Sequence, residues 1–466
     1  MYSRLIDSAG NHRRSPQSLW MWLTRGNYLQ LSMIHIVLGL SGLLFPYVYI
    51  AWVYVLLLTF FSASIKNKHL TLPYLLMYII PLEVFSRMVS ASPFLPWEVA
   101  KYLGMLLLIV GIIINRSKSK GLVGLFILIL TLPAIFMATA TSEKILQTLT
   151  FNVFGLINLC LAVIYFANRT LTKDEIAGLF RFFILGSIPI LTYSIFRAPT
   201  FDEIDFSLGA NFELTGGFGS NQVSTILGLA GGLGIWLWLL RIPLFKNSLL
   251  NIVVPSIFLA WALLSFSRGG VVSPAIGILL VFLFVKKGNT SFSVRKINVA
   301  LVSVLCVLMP LLFYFLNKVT DNLLLLRYLG ETNKTFAGTQ EKDFNLLTTG
   351  RWEIFLADIE VWMNNFVFGV GVGSSPQVRE QMGSSNIEAH IEISRLLAEH
   401  GLFGFIISIL FLVIPFYLYF SRKRAFDKAV IIFCMTMAIL TSMHSAMRTF
   451  ITPLFFGLAF IKISSD

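Results

Sequence analysis

Apolar residues in this chain gather in blocks of about 17 to 22 rather than in amphipathic stripes, and a helix of that length crosses roughly 30 Å of hydrocarbon. Blocks near 30–46, 48–65, 71–91, 99–115, 121–139, 151–168, 177–198, 223–241, 250–267, 271–286, 297–317, 402–421, 428–445 and 450–463 predict about 12 to 14 transmembrane helices. The expected fold is therefore all-α, a polytopic integral membrane protein. It divides into N-terminal transmembrane helices over 1–317, a long outer loop over 318–401 and C-terminal transmembrane helices over 402–466.

Composition agrees, since 56% of the 466 residues are hydrophobic and 13% charged, against roughly a quarter charged in a soluble domain. The formal net charge of +13 is a topology signal and not a nucleic-acid footprint, because the bases sit in alternate short loops. These loops hold Lys66 and Lys68; Arg116, Lys118 and Lys120; Arg169 and Lys173; Arg241 and Lys246; Lys286, Lys287, Arg295 and Lys296; and Arg422 to Lys428. With Arg4, Arg13, Arg14 and Arg25 they predict one cytoplasmic face, and the first span is expected to be retained. Asp202, Glu203, Asp205, Glu213 and the segment from about 318 to 400 fall on the opposite, periplasmic side. Cys160, Cys306 and Cys434 lie inside apolar blocks, so neither a disulfide framework nor a zinc site follows.

Chemistry on the outer face has no ATP to draw on, which points to a donor that arrives activated, such as a lipid diphosphate-linked sugar. Two outer helices are predicted, near 350–364 and 386–400, joined by the flexible turn FGVGVGSSPQ. Trp352, Phe355, Ile359 and Trp362 recur at helical spacing in the first, as a packing face or a sugar platform. In the second, Glu388, Glu392, Arg395 and Glu399 form a stripe that reads as a surface ion-pair ladder or a binding face. His390, one turn into that helix, is a general-base candidate; His400, just before Gly401, reads as a helix-end residue. Arg268 in SFSRGG and Arg351 at the start of the first outer helix offer planar forks for a diphosphate, with interfacial snorkelling as the alternative. Arg197 and Lys101 are weaker members of the same funnel. Glu83 and Arg87, four apart inside one span, read as a self-neutralising pair. In GGFGSNQVS, Asn221 offers both donor and acceptor to a sugar or phosphate, or closes a tight turn. The acidic run DEID at 202–205 lacks a second carboxylate set, and no metal site is assigned.

Taken together, GGFGSNQ, SFSRGG, TGRWEIFLADIEVWMNNFVFGVG and AHIEISRLLAEHGLFGF resemble loops of the O-antigen ligase and polymerase superfamily, over about 216–405. His390-Ile391 stands where the family has His-Asn, and Ser220-Asn221 where it has Pro-Asn. The resemblance implies a GT-C-like helical fold in the bacterial inner membrane, and a metal-independent, inverting glycosyltransferase without cofactor. It implies Arg268 and Arg351 as diphosphate-binding arginines and His390 as the residue activating the acceptor, with Asn221, Arg395, Trp352 and Arg197 as further donor or glycan contacts. The nearest match is the ligase, moving a glycan from undecaprenyl diphosphate to lipid A-core. A polymerase, a protein O-glycosyltransferase and, from another class, a lipid-glycan transporter are the alternatives.

The loop charges predict that a cysteine at Lys342 reacts with a membrane-impermeant thiol reagent in spheroplasts and a cysteine at Lys120 does not. The reverse labelling pattern would overturn the topology.

Overall fold

The computed structural model describes residues 19–65, 70–114, 121–138, 145–285 and 299–464; the basic positions at 66–68, 116–120 and 286–296 lie outside them. The chain runs through α1 (Leu19–Arg25), α2 (Tyr28–Leu44), α3 (Pro46–Ile65), α4 (Thr71–Met88), α5 (Val99–Ile114), α6 (Leu122–Phe136), α7 (Ile145–Asn152), α8 (Phe154–Ala167) and α9 (Lys173–Arg197). It continues with α10 (Ser220–Leu239), α11 (Leu250–Leu264), α12 (Arg268–Phe284) and α13 (Val299–Val319). The outer segment carries α14 (Leu323–Tyr328), α15 (Asn333–Phe336), α16 (Phe344–Leu347), α17 (Arg351–Asn364) and α18 (Ser375–Gln381). Then come α19 (Glu392–Ser421), α20 (Ala425–Ser445) and α21 (Ile451–Leu458). The expected all-α architecture is what forms: among the described residues the strands are β1 (Thr170–Leu171) and β2 (Lys462–Ile463), paired in parallel.

Helices dominate because hydrocarbon offers no partner to a backbone amide, so a spanning segment must bond to itself. Among the described residues five helices, α3, α9, α10, α19 and α20, are by themselves long and apolar enough to cross, and seven shorter apolar ones accompany them. The chain is a multi-pass membrane protein. Its outer ring shows apolar side chains to the surroundings, with Phe136 85% and Phe420 76% exposed, as expected where lipid is the solvent. At the centre every side chain of α4 is buried. In α10 all are buried but Asn221 and Gln222.

Two features of this bundle position the outer-face residues. The first is the crossing of α10 and α12. Gly228 and Gly270 let the helices approach so closely that a Cβ on Gly228 would collide with the Gly270 backbone, and one on Gly270 with Ser224; small residues at such crossings are the usual device of membrane helices. Ser224 Oγ donates to the Ser267 carbonyl at 3.0 Å, and Ser267 Oγ to Asn221 Oδ1 at 2.7 Å, so the start of α12 is pinned to the start of α10.

The second is a break in α19 at Gly401 (φ 60°, ψ −133°). The backbone groups it frees are taken up by the preceding segment: Val370 N–H donates to the Ala398 carbonyl at 3.0 Å, Gly371 N–H to the Glu399 carbonyl at 3.1 Å, and Leu402 N–H of the helix to the Val367 carbonyl at 3.1 Å. The segment read as a flexible turn is thus a bonded plug that also contains α18. Gly369 and Gly401 both have positive φ, and a Cβ on either would meet the other's backbone.

The apolar block near 450–463 also differs from expectation. It holds α21, only 8 residues long and therefore about 12 Å, followed by β2. The helix ends early because its chain must reach β1 beside the start of α9. Helix α8 is short too, at 14 residues against 25 for α9.

Gly401→Ala is expected to lower the thermal unfolding temperature in detergent, because left-handed backbone costs roughly 1–2 kcal/mol for a residue with a Cβ and the collision adds to it. Gly383→Ala is the control: its φ is 80° but nothing lies within 4 Å of the added carbon. Equal shifts for the two would remove the plug as a packing constraint.

Candidate functional site

At the end of the bundle that carries α14 to α18, three arginines arrive from three separate elements. Arg268 opens α12, Arg327 sits in the last turn of α14, and Arg351 opens α17. Arg268 Nη2 donates to the Leu347 carbonyl at 2.7 Å, which ties α12 to the turn preceding α17. Arg327 Nε donates to the Phe266 carbonyl at 3.4 Å, on the bend that feeds α12. The entry to α17 is made by Thr349 (φ 57°) and Gly350 (φ 78°), two consecutive left-handed residues that turn the chain sharply. Both α12 and α17 present their N-termini, so partial positive charge from free amides adds to the guanidinium groups.

Burial and mutual repulsion show in the titration of this cluster. Burial, then the charges of Arg268 and Arg351, lower Arg327 to about 10. Burial, then Arg268 and Arg448, lower Arg351 to about 10. Arg448, at the corner between α20 and α21, is lowered by burial. All remain cationic at neutral pH. Among the described residues none of the four is ion-paired with a carboxylate, whereas Arg87, Lys101, Arg379 and Arg395 are. An arrangement of this kind attracts a multiply charged anion.

His390 stands beside this cluster, but not inside a helix as its spacing suggested. Helix α19 begins at Glu392, and residues 384–391 are an irregular loop held from both sides. On one side the corner 446–448 clamps it: Ala446 N–H donates to the His390 carbonyl at 2.9 Å, and Arg448 Nη2 donates to the Glu388 and Ala389 carbonyls, each at 3.1 Å. On the other, fully buried Arg379 donates to the Ser385 carbonyl at 3.2 Å and to the Ile387 carbonyl. Arg379 also pairs with Asp358 of α17, whose other oxygen accepts from Ser394 of α19 at 2.7 Å. One buried carboxylate thereby links the helix that carries Arg351 to the loop that carries His390. The imidazole Nε2 lies 3.5 Å from Arg448 Nη1. Burial, then Arg448 and Arg351, lower its pKa to about 4, so it is neutral near pH 7 and able to take up a proton.

The other sequence candidates separate. Asn221 joins the cluster through Ser267. Arg395 does not face it: it is buried between Glu392 and Glu399 and reaches Asn152 Oδ1 at 3.4 Å. The stripe read as a surface ladder is therefore an internal one, because α19 packs this face against the bundle, and Glu388 lies outside the helix. Glu392 accepts from Met447 N–H at 3.0 Å, so Arg395 supports the corner bearing Arg448. Trp352 is 38% exposed and stacks on Phe355, while Trp362 packs on Phe405 of α19. Arg197 is exposed and folds over Tyr193 of its own helix. Buried His400 lies at the break in α19. The Glu83–Arg87 pair forms as expected, and Arg87 extends to Gln222 Oε1 at 2.8 Å and the Trp97 carbonyl at 2.6 Å. Asp202 and Glu203 form a short 3₁₀ turn. Among the described residues no group of three or more His, Cys, Asp or Glu is placed to hold a metal ion.

Three residues of the cluster were not singled out from sequence: Arg327, Arg448 and His444, whose Nε2 lies 3.0 Å from Thr225 Oγ1. For Arg448 a signal existed, since it is a lone base in the short turn between the apolar blocks at 428–445 and 450–463.

Residues 253–409 match the family model described as O-antigen ligase. The match covers about a third of the chain, and over this segment the protein is similar to that family. The match includes Arg268, Arg327, Arg351 and His390, and leaves Asn221, His444 and Arg448 outside. No curated protein matches the chain significantly. The match supports an O-antigen ligase or polymerase-like function and a general enzyme role.

Arg379→Met is expected to destabilise the ligase-family segment by about 3–5 kcal/mol, because it leaves Asp358 charged and buried. Adding Asp358→Leu should recover part of that in denaturant-resistance measurements. Additive losses in the double variant would show that the two groups do not act as a pair.

Proposed function

We infer that this protein is an O-antigen ligase, transferring a glycan from undecaprenyl diphosphate to lipid A-core at the periplasmic face of the bacterial inner membrane. The observation that carries the reading is the convergence of unpaired Arg268, Arg327 and Arg351 beside a neutral His390. As the glycosidic bond to the carrier breaks, its electron pair passes to the diphosphate, and preorganised cations stabilise that developing charge. Arg268 and Arg351 bind the diphosphate, with the helix N-termini behind them. His390 takes the proton from the acceptor hydroxyl as its oxygen attacks the anomeric carbon. Attack from the side opposite the departing diphosphate inverts that carbon. The ligase reading is preferred to polymerisation because the long outer segment ahead of His390 resembles the ligase arrangement.

Arg268→Ala and Arg351→Ala should each lower transfer, with Lys rescuing poorly because it lacks the planar fork. His390→Ala should keep donor binding and lose about 10² to 10⁴ in rate. Purified protein given carrier-linked glycan and lipid A-core should release carrier diphosphate and capped lipopolysaccharide; a longer carrier-linked chain as the product would replace the ligase by a polymerase. Full activity of the double arginine variant would discard the clamp.

A base must be deprotonated to act, so kcat/KM should be level from pH 7 to about 5 and fall as the pH drops through about 4. A bound diphosphate would offset the positive charge around His390 and raise its pKa, placing the acid limb of kcat at higher pH than that of kcat/KM. Coincident limbs would separate the histidine from the diphosphate.

A further inference from the structure

Beside the arginine cluster lies a cavity of about 730 Å³ that the reaction as described leaves unassigned. Its walls come from the turn before α5, from α7, from the glycine plug with α18, and from the loop ahead of α19. Arg268, Arg327 and Arg351 do not line it. Its chemistry is of another kind: carboxylates at Glu98 and Glu388, amides at Asn152 and Gln377, and aromatic faces at Trp97 and Tyr102. Hydroxyl-rich rings are bound by this combination, with acceptor oxygens and amides for the hydroxyls and flat aromatic rings for the C–H faces. Lys101 offsets Glu98 at 2.9 Å, which leaves Glu388 as the wall's carboxylate without an ion pair among the described residues. The size falls within the roughly 300–1,000 Å³ of small-ligand pockets.

The position of the cavity is as informative as its lining. Glu388 and Asn152 also border a narrow cleft that runs to Arg448, the residue whose guanidinium lies 3.5 Å from His390 Nε2. A saccharide held here would reach the imidazole from the Arg448 side. Arg87 holds the Trp97 wall in place through its carbonyl while gripping Gln222 next to Asn221. The geometry points to this cavity as the subsite for the acceptor's saccharide, the ring whose hydroxyl His390 deprotonates. This assignment rests on the transfer reaction proposed above and adds where the second substrate sits.

Gln377 is exposed on α18 and lines the cavity. The test uses the full chain in lipid nanodiscs, with the native cysteines replaced and Gln377→Cys introduced. Modification by an impermeant maleimide is followed with two probes, lipid A-core extracted from a strain lacking the enzyme and undecaprenyl diphosphate bearing no glycan. The acceptor should slow labelling at least fivefold and the carrier should leave it unchanged. Trp97→Ala should abolish the protection, and raise the KM for acceptor at least tenfold while the KM for donor stays within twofold. Protection by the bare carrier, or none by the acceptor, overturns the assignment. Protection by the acceptor without transfer in the wild-type protein would refute the ligase reading and leave the saccharide site standing.

Discussion

Charge inside an apolar layer has to be neutralised, and how this protein meets that requirement explains most of its outer half. Four of its buried bases sit against a carboxylate: Arg87 with Glu83, Lys101 with Glu98, Arg379 with Asp358, and Arg395 with Glu392 and Glu399. Arg268, Arg327, Arg351 and Arg448 are only half-buried, and none has such a partner among the described residues. Repulsion among them is tolerated because the surrounding elements hold them apart as well as together. The result is a site whose electrostatics are incomplete until an anion arrives, which is the property a diphosphate-releasing transferase needs.

The neutralised pairs are the scaffold for the others. Asp358 and Arg379 couple the α17 helix to the His390 loop, and Arg395 with Glu392 fixes the corner from which Arg448 projects. Loss of one of these pairs would reach the proposed chemistry only indirectly, by letting a backbone carbonyl or an N–H move. The same division appears at the backbone level: the Gly228–Gly270 crossing sets where α12 begins, and the plug at Gly401 closes the amide groups that the broken α19 exposes. A charged site at the edge of hydrocarbon thus depends on dry, exactly bonded structure just beneath it.

Much of the architecture is legible from residue order. The apolar blocks coincide with α2 to α6, α8 to α13 and α19 to α21, because a run of about 17 or more apolar residues has few alternatives to a helix in lipid. Helix α17 begins where Gly350 and Arg351 suggested. The last block was misjudged in extent, since hydropathy counts apolar residues and is blind to where the chain must arrive. His390 was placed inside a helix for a similar reason: the i, i+4 spacing of Glu388 and Glu392 looks helical, but the 446–448 corner competes for the backbone of 388–390.

Sequence by itself determined the class of structure and the chemical types available: an all-α membrane protein with Arg268, Arg351 and His390 as candidates for one face. Tertiary structure decided which of those bases stay unpaired. Arg395 and Arg448 are both arginines in the outer half, yet one is enclosed by two carboxylates and the other is left facing His390. Nothing in the local pattern around Arg448 foretells this, because its neighbours in space come from residues 388–390, nearly sixty positions earlier. Partnership between charges is a property of folded distance, and distance is what a one-dimensional pattern does not contain.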